Sequence, residues 1–167
     1  KLNNMVEKLL ETATLDSNEI ELSIEPTDTV QMTKKLIEKF DMVKGDKQLD
    51  FACSLKERVI DIDAFHMENA MSNLIDNALK YGGQTVSVSL SSAGEKTIWE
   101  VTDNGGKIDK LQQSRIFEKF YRIPTGNVHN VKGFGIGLYY TKTMVEKHGG
   151  TIALDVKQGE TKFSISI

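Results

Sequence analysis

Residues 67–83 read M-E-N-A-M-S-N-L-I-D-N-A-L-K-Y-G-G. The apolar residues Ala70, Met71, Leu74, Ile75, Ala78 and Leu79 recur at steps of three and four, the period of an amphipathic helix with one buried face. Gly82-Gly83 ends it, as glycine past a helix end commonly does. Asn73, Asn77 and then Lys80 or Tyr81 fall on a second stripe beside the apolar one. Asparagine is a mediocre helix former because its amide competes for backbone hydrogen bonds, so two of them one turn apart call for a reason. One reason is capping or a solvated face. The other is a metal–phosphate site. Amide oxygens are hard ligands that suit Mg2+, which completes its shell with water and substrate phosphates, and lysine brings a point charge for a phosphate. The helix alone leaves both readings open.

Upstream of this helix, residues 1–14 place Leu2, Met5 or Val6, Leu9 and Thr12 or Ala13 on a narrow seam, as in a helical hairpin or coiled coil. Such a helix is too short to be stable alone. Residues 15–19 read as a linker. The alternation I-E-L-S-I at 20–24 predicts a half-buried strand ended by Pro26. Asp28 or Thr29 caps a helix reaching Phe40 or Val43, with Val30, Leu36, Ile37 and Phe40 inward. Residues 49–55 alternate again, 59–62 are extended, and Asp61 or Asp63 caps the central helix.

Downstream, T-V-S-V-S-L and K-T-I-W-E-V-T-D have a period of two and a glycine-containing connection, an antiparallel hairpin. The second strand runs into Asp103-Asn104-Gly105-Gly106-Lys107-Ile108. Residues 109–120 predict a short helix ending in the aromatics Phe117, Phe120 and Tyr121. Residues 122–132 lack periodicity and read as a mobile loop. Gly133-Phe134-Gly135-Ile136-Gly137-Leu138 opens a helix to about His148, closed by Gly149-Gly150, and a last hairpin turns at Gln158-Gly159. Hairpins outnumber strand–helix alternations. The order therefore predicts an α+β two-layer sandwich, a mixed sheet with helices on one face, rather than a doubly wound parallel sheet.

With 167 residues, 39% hydrophobic and 27% charged, the chain fits one globular domain with a short appendage. A net charge of −3 and the absence of a Lys/Arg cluster argue against a nucleic-acid surface. The single cysteine, Cys53, excludes an internal disulfide, suits a reducing compartment and fits a strand as a small apolar residue. No apolar stretch reaches the roughly 18 residues of a membrane-spanning helix. The chain starts with Lys1, and it reads as a piece of a longer protein.

Taken singly, the motifs are weak. Gly133-x-Gly135-x-Gly137 before a helix lets backbone N–H groups approach a phosphate, but the preceding strand of a dinucleotide site is missing. Asp103 before glycines is also what a turn looks like. Taken in order, N-L-I-D-N-A-L-K-Y (73–81), D-N-G-G-K-I (103–108), I-F-E-K-F-Y-R (116–122) and K-G-F-G-I-G-L (132–138) resemble the N box, first glycine box, F box and second glycine box of bacterial sensor histidine kinases. The resemblance covers residues 20–167 as the catalytic ATP-binding domain, with a Bergerat-type sandwich. It makes 1–19 the end of the dimerisation and phosphoacceptor hairpin.

The resemblance implies ATP and Mg2+ as cofactors, and roles residue by residue. Asn77 holds the metal. Asn73 lies near the phosphates and the metal shell, Lys80 contacts a phosphate, and Tyr81 lines the nucleotide. Asp103 accepts from the adenine amino group, which a guanine carbonyl cannot offer. Arg122 stands on the lid side near the γ-phosphate, so Asn73, Lys80 and Arg122 form the catalytic set. Phe117 and Phe120 anchor the lid, or simply pack in the core. Gly105, Ile108, Gly133, Gly135, Ile136, Gly137 and Leu138 complete the nucleotide site. The first glycine box departs from D-x-G-x-G: Gly105 fits, but Lys107 takes the fifth place and Gly106 is extra. A lysine forced to positive φ there would carry strain of roughly 1–2 kcal/mol.

None of the three histidines, His66, His129 and His148, has the family's phosphoacceptor context. His148 falls at a helix C-terminus, where a cation is favoured. ATP hydrolases on the same sandwich place a glutamate four residues before the metal asparagine as general base. Here that place is Asn73, which cannot take a proton. The expectation is therefore a donor domain that passes the γ-phosphate to a histidine on the parent's hairpin, for relay to a response regulator receiver domain. The parent is expected to be a homodimer anchored in the inner membrane, with this part cytoplasmic. The alternative is a nucleotide-binding module that is non-catalytic, or an ATPase.

Overall fold

A computed structural model of the chain describes residues 20–105, 108–123 and 136–167. The predicted helix at 1–14, the linker at 15–19, Gly106, Lys107, His129, Gly133, Gly135 and most of the loop at 122–132 lie outside the described residues.

A short antiparallel ribbon pairs β1 (Glu25–Asp28) with β3 (Val59–Ile62). Between them come α1 (Thr29–Asp41) and β2 (Gln48–Cys53). Then follow α2 (Ala64–Tyr81), the hairpin β4 (Thr85–Ala93) and β5 (Lys96–Asp103), α3 (Lys110–Arg115), α4 (Gly137–Lys147), and the hairpin β6 (Thr151–Lys157) and β7 (Glu160–Ser166). The main sheet has the order β2-β4-β5-β7-β6; β2 runs parallel to β4 and every other pairing is antiparallel. The parallel pair needs a crossover, and the segment containing α2 supplies it.

The sheet is buried on one face. Val86, Val88 and Leu90 of β4, Trp99 and Val101 of β5, and Phe163 and Ile165 of β7 point into the core, while Ser87, Glu100 and Lys162 alternate outward. The inward residues meet Val30, Leu36 and Phe40 of α1 and Met67, Met71, Leu74 and Ile75 of α2. Trp99 is fully buried, and its Nε1–H donates to Thr33 Oγ1 at 2.9 Å, so the largest core side chain leaves no polar atom unpaired. These layers are the α+β two-layer sandwich that the hairpin-rich order predicts.

Two expectations shift, and a third resolves to one of its alternatives. The strand expected at 20–24 is not formed; β1 begins at Glu25 and includes Pro26, which faces Asp61. The Ser23 N–H donates instead to Asp63 Oδ2 at 2.8 Å, and a proline is tolerated in a two-stranded edge ribbon. The helix expected over 109–120 is only α3. It starts with a capping box between Asp109 and Gln112, and its continuation is broken before Phe120, whose φ is 66°. The central helix starts at Ala64 behind the Asp63 cap, one of the two caps expected, with the carboxylate accepting the His66 N–H at 3.0 Å.

Candidate functional site

The C-terminal end of α2 lies over the ends of three strands. Period-two alternation puts Asp103 on the inward row of β5, after Thr97, Trp99 and Val101. Its neighbours across the sheet are Val86 of β4 and Thr161 of β7, and all three are buried. A carboxylate therefore ends an otherwise apolar stripe. Its Oδ1 accepts the Gly105 N–H at 2.8 Å. Burial pushes the Asp103 carboxyl above its ordinary range, while the N–H groups of Gly105 and Gly83 and the charge of Lys47 pull it back part of the way.

Glycine is required above it for space alone. A Cβ on Gly82 would lie 2.5 Å from both the Asp103 Cγ and the Ala78 carbonyl, and one on Gly83 would run into Asn104 Oδ1. That Oδ1 accepts the Thr85 N–H at 3.0 Å, fixing the turn after Asp103 against the start of β4.

Two turns toward the N-terminus, α2 meets α4. Asn73 Nδ2 donates to the Gly137 carbonyl at 3.3 Å, and a Cβ on Gly137 would sit 3.6 Å from Asn73 Cγ. Thr141, fully buried, ties the same two helices: its Oγ1 lies 2.9 Å from Gly137 O and 3.3 Å from Ala70 O. Among the described residues no side chain caps α4 at Ile136, and the first N–H groups of a helix have no intrahelical acceptor. This is a ready anion site, beside the stripe of Asn73, Asn77 and Lys80. The half-buried Asn77 carboxamide makes no hydrogen bond among the described residues, so its oxygen is available to a hard cation. The donor chemistry and the anion-seeking helix end thus fit a Mg2+–phosphate group. Lys80 Nζ holds the Asp76 carboxylate at 2.7 Å, an exposed i,i+4 pair worth about 0.3–0.5 kcal/mol, which a phosphate easily outcompetes.

The structure brings Asn73 together with Gly137, and Asp103 with Gly105. Tyr81 is exposed at the end of α2, next to that carboxylate's cover. Ile136 is buried, and Ile108 and Leu138 are partly buried against the core. Phe117 packs edge-on to Phe163 at 6.0 Å, which is core packing. Phe120 is exposed, and Arg122 is exposed and not brought to α2 by any contact among the described residues.

A second polar cluster sits at the opposite end of α2. Asp63 Oδ1 and Oδ2 accept the His66 and Ser23 N–H groups, and its own N–H donates to His148 Nε2 at 3.0 Å. His148 Nδ1 donates to Met144 O at 2.7 Å. Through these two bonds the His148 ring ties the end of α4 to the start of α2. His66 Nδ1 is 2.6 Å from the Tyr140 hydroxyl. Burial raises the Asp63 carboxyl, but the N–H groups of His66 and Ser23 and the nearby imidazoles of His66 and His148 outweigh it, and the net shift is downward.

Sequence reasoning missed Lys47, Thr141 and Thr161. Thr161 follows a glycine turn at the start of an alternating strand, but only the strand order shows that it faces Asp103.

Residues 62–167, more than half of the chain, match the family described as histidine kinase-, DNA gyrase B-, and HSP90-like ATPase. The chain is 32% identical to sensor protein RprX of Bacteroides fragilis strain YCH46, over 100% of this chain and 34% of that protein. It is 30% identical to sensor histidine kinase WalK of Bacillus subtilis strain 168, over 96% of this chain and 27% of that protein. The chain therefore spans about a third or less of the length of these curated relatives. The fold is similar to that of the Acinetobacter baumannii histidine kinase AdeS, with a TM-score of 0.80 at 21% identity, covering 99% of this chain and 77% of that one.

Proposed function

Because the chain belongs to the family of histidine kinase-, DNA gyrase B- and HSP90-like ATPases, we propose that it is the ATP-binding catalytic domain of a sensor histidine kinase, donating the γ-phosphate to a histidine outside residues 20–167. The observation that carries this reading is α2 itself. A buried acceptor carboxylate, Asp103, lies under its C-terminal end, while Asn73, Asn77 and the uncapped N-terminus of α4 lie one to two turns back along the same helix. That spacing separates a site for a base from a site for phosphates.

In this reading Asp103 accepts from the adenine amino group, and its fixed oxygen on Gly105 leaves the other to meet the base. Asn77 offers its carboxamide oxygen to Mg2+. Mg2+ held there would supply charge neutralisation for the phosphates. Asn73 holds the start of α4 in place so that its N–H groups meet the phosphates, and Lys80 exchanges Asp76 for a phosphate oxygen. Neither Asn73 nor Asn77 takes a proton at neutral pH, so neither activates water, and the nucleophile has to come from outside. Transfer then depends on positioning and charge neutralisation.

Residues 1–19 are assigned to the end of the dimerisation and phosphoacceptor hairpin, and 20–167 to this domain. The partners are that hairpin in a homodimeric parent and a response regulator receiver domain. No described helix is long and apolar enough to cross a membrane, and membrane anchoring belongs to other parts of the parent.

Calorimetric titration of Asn77→Ala with a non-hydrolysable ATP analogue tests the site. Affinity in Mg2+ is expected to fall about tenfold, from loss of one ligand bond to a charged group, with little change in EDTA. Equal affinity of variant and parent in both buffers would sink the assignment.

A further inference from the structure

Lys47 lies outside every motif, in the turn before β2. Its Nζ donates to the Gly82 carbonyl at 3.3 Å. Two more bonds join the same turns: Gln84 Nε2 to Asp46 O at 2.6 Å, and the Gln48 N–H to Gln84 O at 3.0 Å. Gly82 is the peptide pressed against Asp103, with no room for even a methyl group between them. We infer that Lys47 is a positioning residue for base recognition: it clamps the glycine turn onto Asp103 and sets its positive charge beside that buried side chain. This deepens the proposed function and rests on Asp103 as the base-binding group.

The argument has a steric and an electrostatic half. Sterically, Gly82 is the C-cap of α2, with φ −82° and ψ −168°, and its N–H donates to Ala78 O. A helix end held by one such bond frays unless its carbonyls find donors. Lys47 supplies a donor from a different part of the sheet, so the cover over Asp103 is fixed by β2 as well as by α2. Electrostatically, the groups packed around Asp103 are uncharged: Val86 and Thr161 across the strands, and Gly82, Gly83 and Gly105 above. Lys47 is the charged residue that favours the carboxylate, against burial.

The protonation state matters because Oδ1 is occupied by the Gly105 N–H. A proton taken up converts a carboxylate oxygen from an acceptor of the amino group into a donor. That donor suits the carbonyl of guanine, so loss of the Lys47 charge weakens adenine and relaxes discrimination at once.

The test is calorimetric titration of the full chain with adenosine, and with non-hydrolysable ATP and GTP analogues, from neutral to acidic pH. Lys47→Met, Lys47→Arg and Asp103→Asn are compared with the parent, so ligand ionisation cancels. Lys47→Met is expected to weaken adenosine and the ATP analogue about two- to fivefold at neutral pH, the effect of one partly exposed charge. Its acidic loss of affinity should begin at higher pH than in the parent, and its preference for ATP over GTP should narrow. Lys47→Arg should restore all three. If Lys47→Met binds like the parent at every pH while Asp103→Asn loses affinity, the inference is overturned and the base site stands. If affinity falls with no displacement of the acid limb, the electrostatic half is overturned. If Asp103→Asn itself binds normally, the base-site reading fails and takes the inference with it.

Discussion

Asp103 occupies a position where the strand's alternation would put an apolar residue. The sign of its linkage follows from burial. A carboxyl whose folded-state affinity for protons exceeds that of the unfolded chain adds stability fully below the unfolded value, and that stability is lost as pH rises through the folded one. At neutral pH the ionised group therefore costs stability. Asp103→Asn should raise the thermal midpoint, by the equivalent of roughly 1 kcal/mol, while adenine-nucleotide affinity drops and ATP/GTP preference shrinks. Denaturation and titration on one preparation check it; a variant that is both less stable and equally avid contradicts the assignment. The placement of Asn73, Asn77 and Lys80 on one helix and of Asp103 at a strand end was legible, because residue period alone fixes both. Thr161 and Lys47 were not, because each reaches Asp103 only through strand order. Thr161 arrives by β5–β7 pairing, and Lys47 through the β2–β4 edge.

The elements were legible wherever one face is buried. The periods of α1, α2, β4, β5 and β7 appear in the chain as they appear in space. Where polar side chains take over backbone groups, period gave the wrong bounds. The alternation at 20–24 made no strand, and Asp63 captures the Ser23 N–H there; the aromatic run after α3 is not helical, and Phe120 within it turns left-handed. Asp63 thereby does two jobs, capping α2 and holding the incoming chain, while His148 fastens the end of α4 to the Asp63 N–H. Asp63→Ala should cost about 1–2 kcal/mol, at the upper end of N-cap losses. Its pH dependence has the opposite sign to that of Asp103. The folded-state value is depressed, so the stabilisation is present above the unfolded value and disappears as pH falls through the folded one. Urea denaturation at neutral and acid pH separates the cases: the gap between parent and Asp63→Ala should close on acidification. A gap independent of pH would mean that the carboxylate charge contributes nothing.

At the scale of the molecule, the proposed reading gives one helix a base-recognition end and a phosphate end, and the residue four positions before Asn77 is Asn73, which is no base for water. Asn73 donates to Gly137 and is fixed between α2 and α4, in the place where related hydrolases carry glutamate. His148 is engaged through both ring nitrogens, with the Asp63 N–H and the Met144 carbonyl, and His66 Nδ1 is held by the Tyr140 hydroxyl. The 167-residue chain is accordingly expected to bind ATP with only trace hydrolysis and to form no acid-labile phosphate on itself. A separate hairpin carrying the parent's histidine should be labelled in trans, slowly, because the tether that raises effective concentration is gone. Asn73→Glu approaches the same logic from the other side. It places a general base one turn from Asn77 and should raise water attack, while breaking the contact that holds α4 and so weakening nucleotide binding. Radiolabelled ATP distinguishes the outcomes. Sustained turnover by the unmodified chain, or label on His66, His129 or His148, would make the hydrolase branch of the family the better account. Silence in Asn73→Glu together with efficient trans labelling by the parent would show that the absence of a base, by itself, is not what directs the phosphate to histidine.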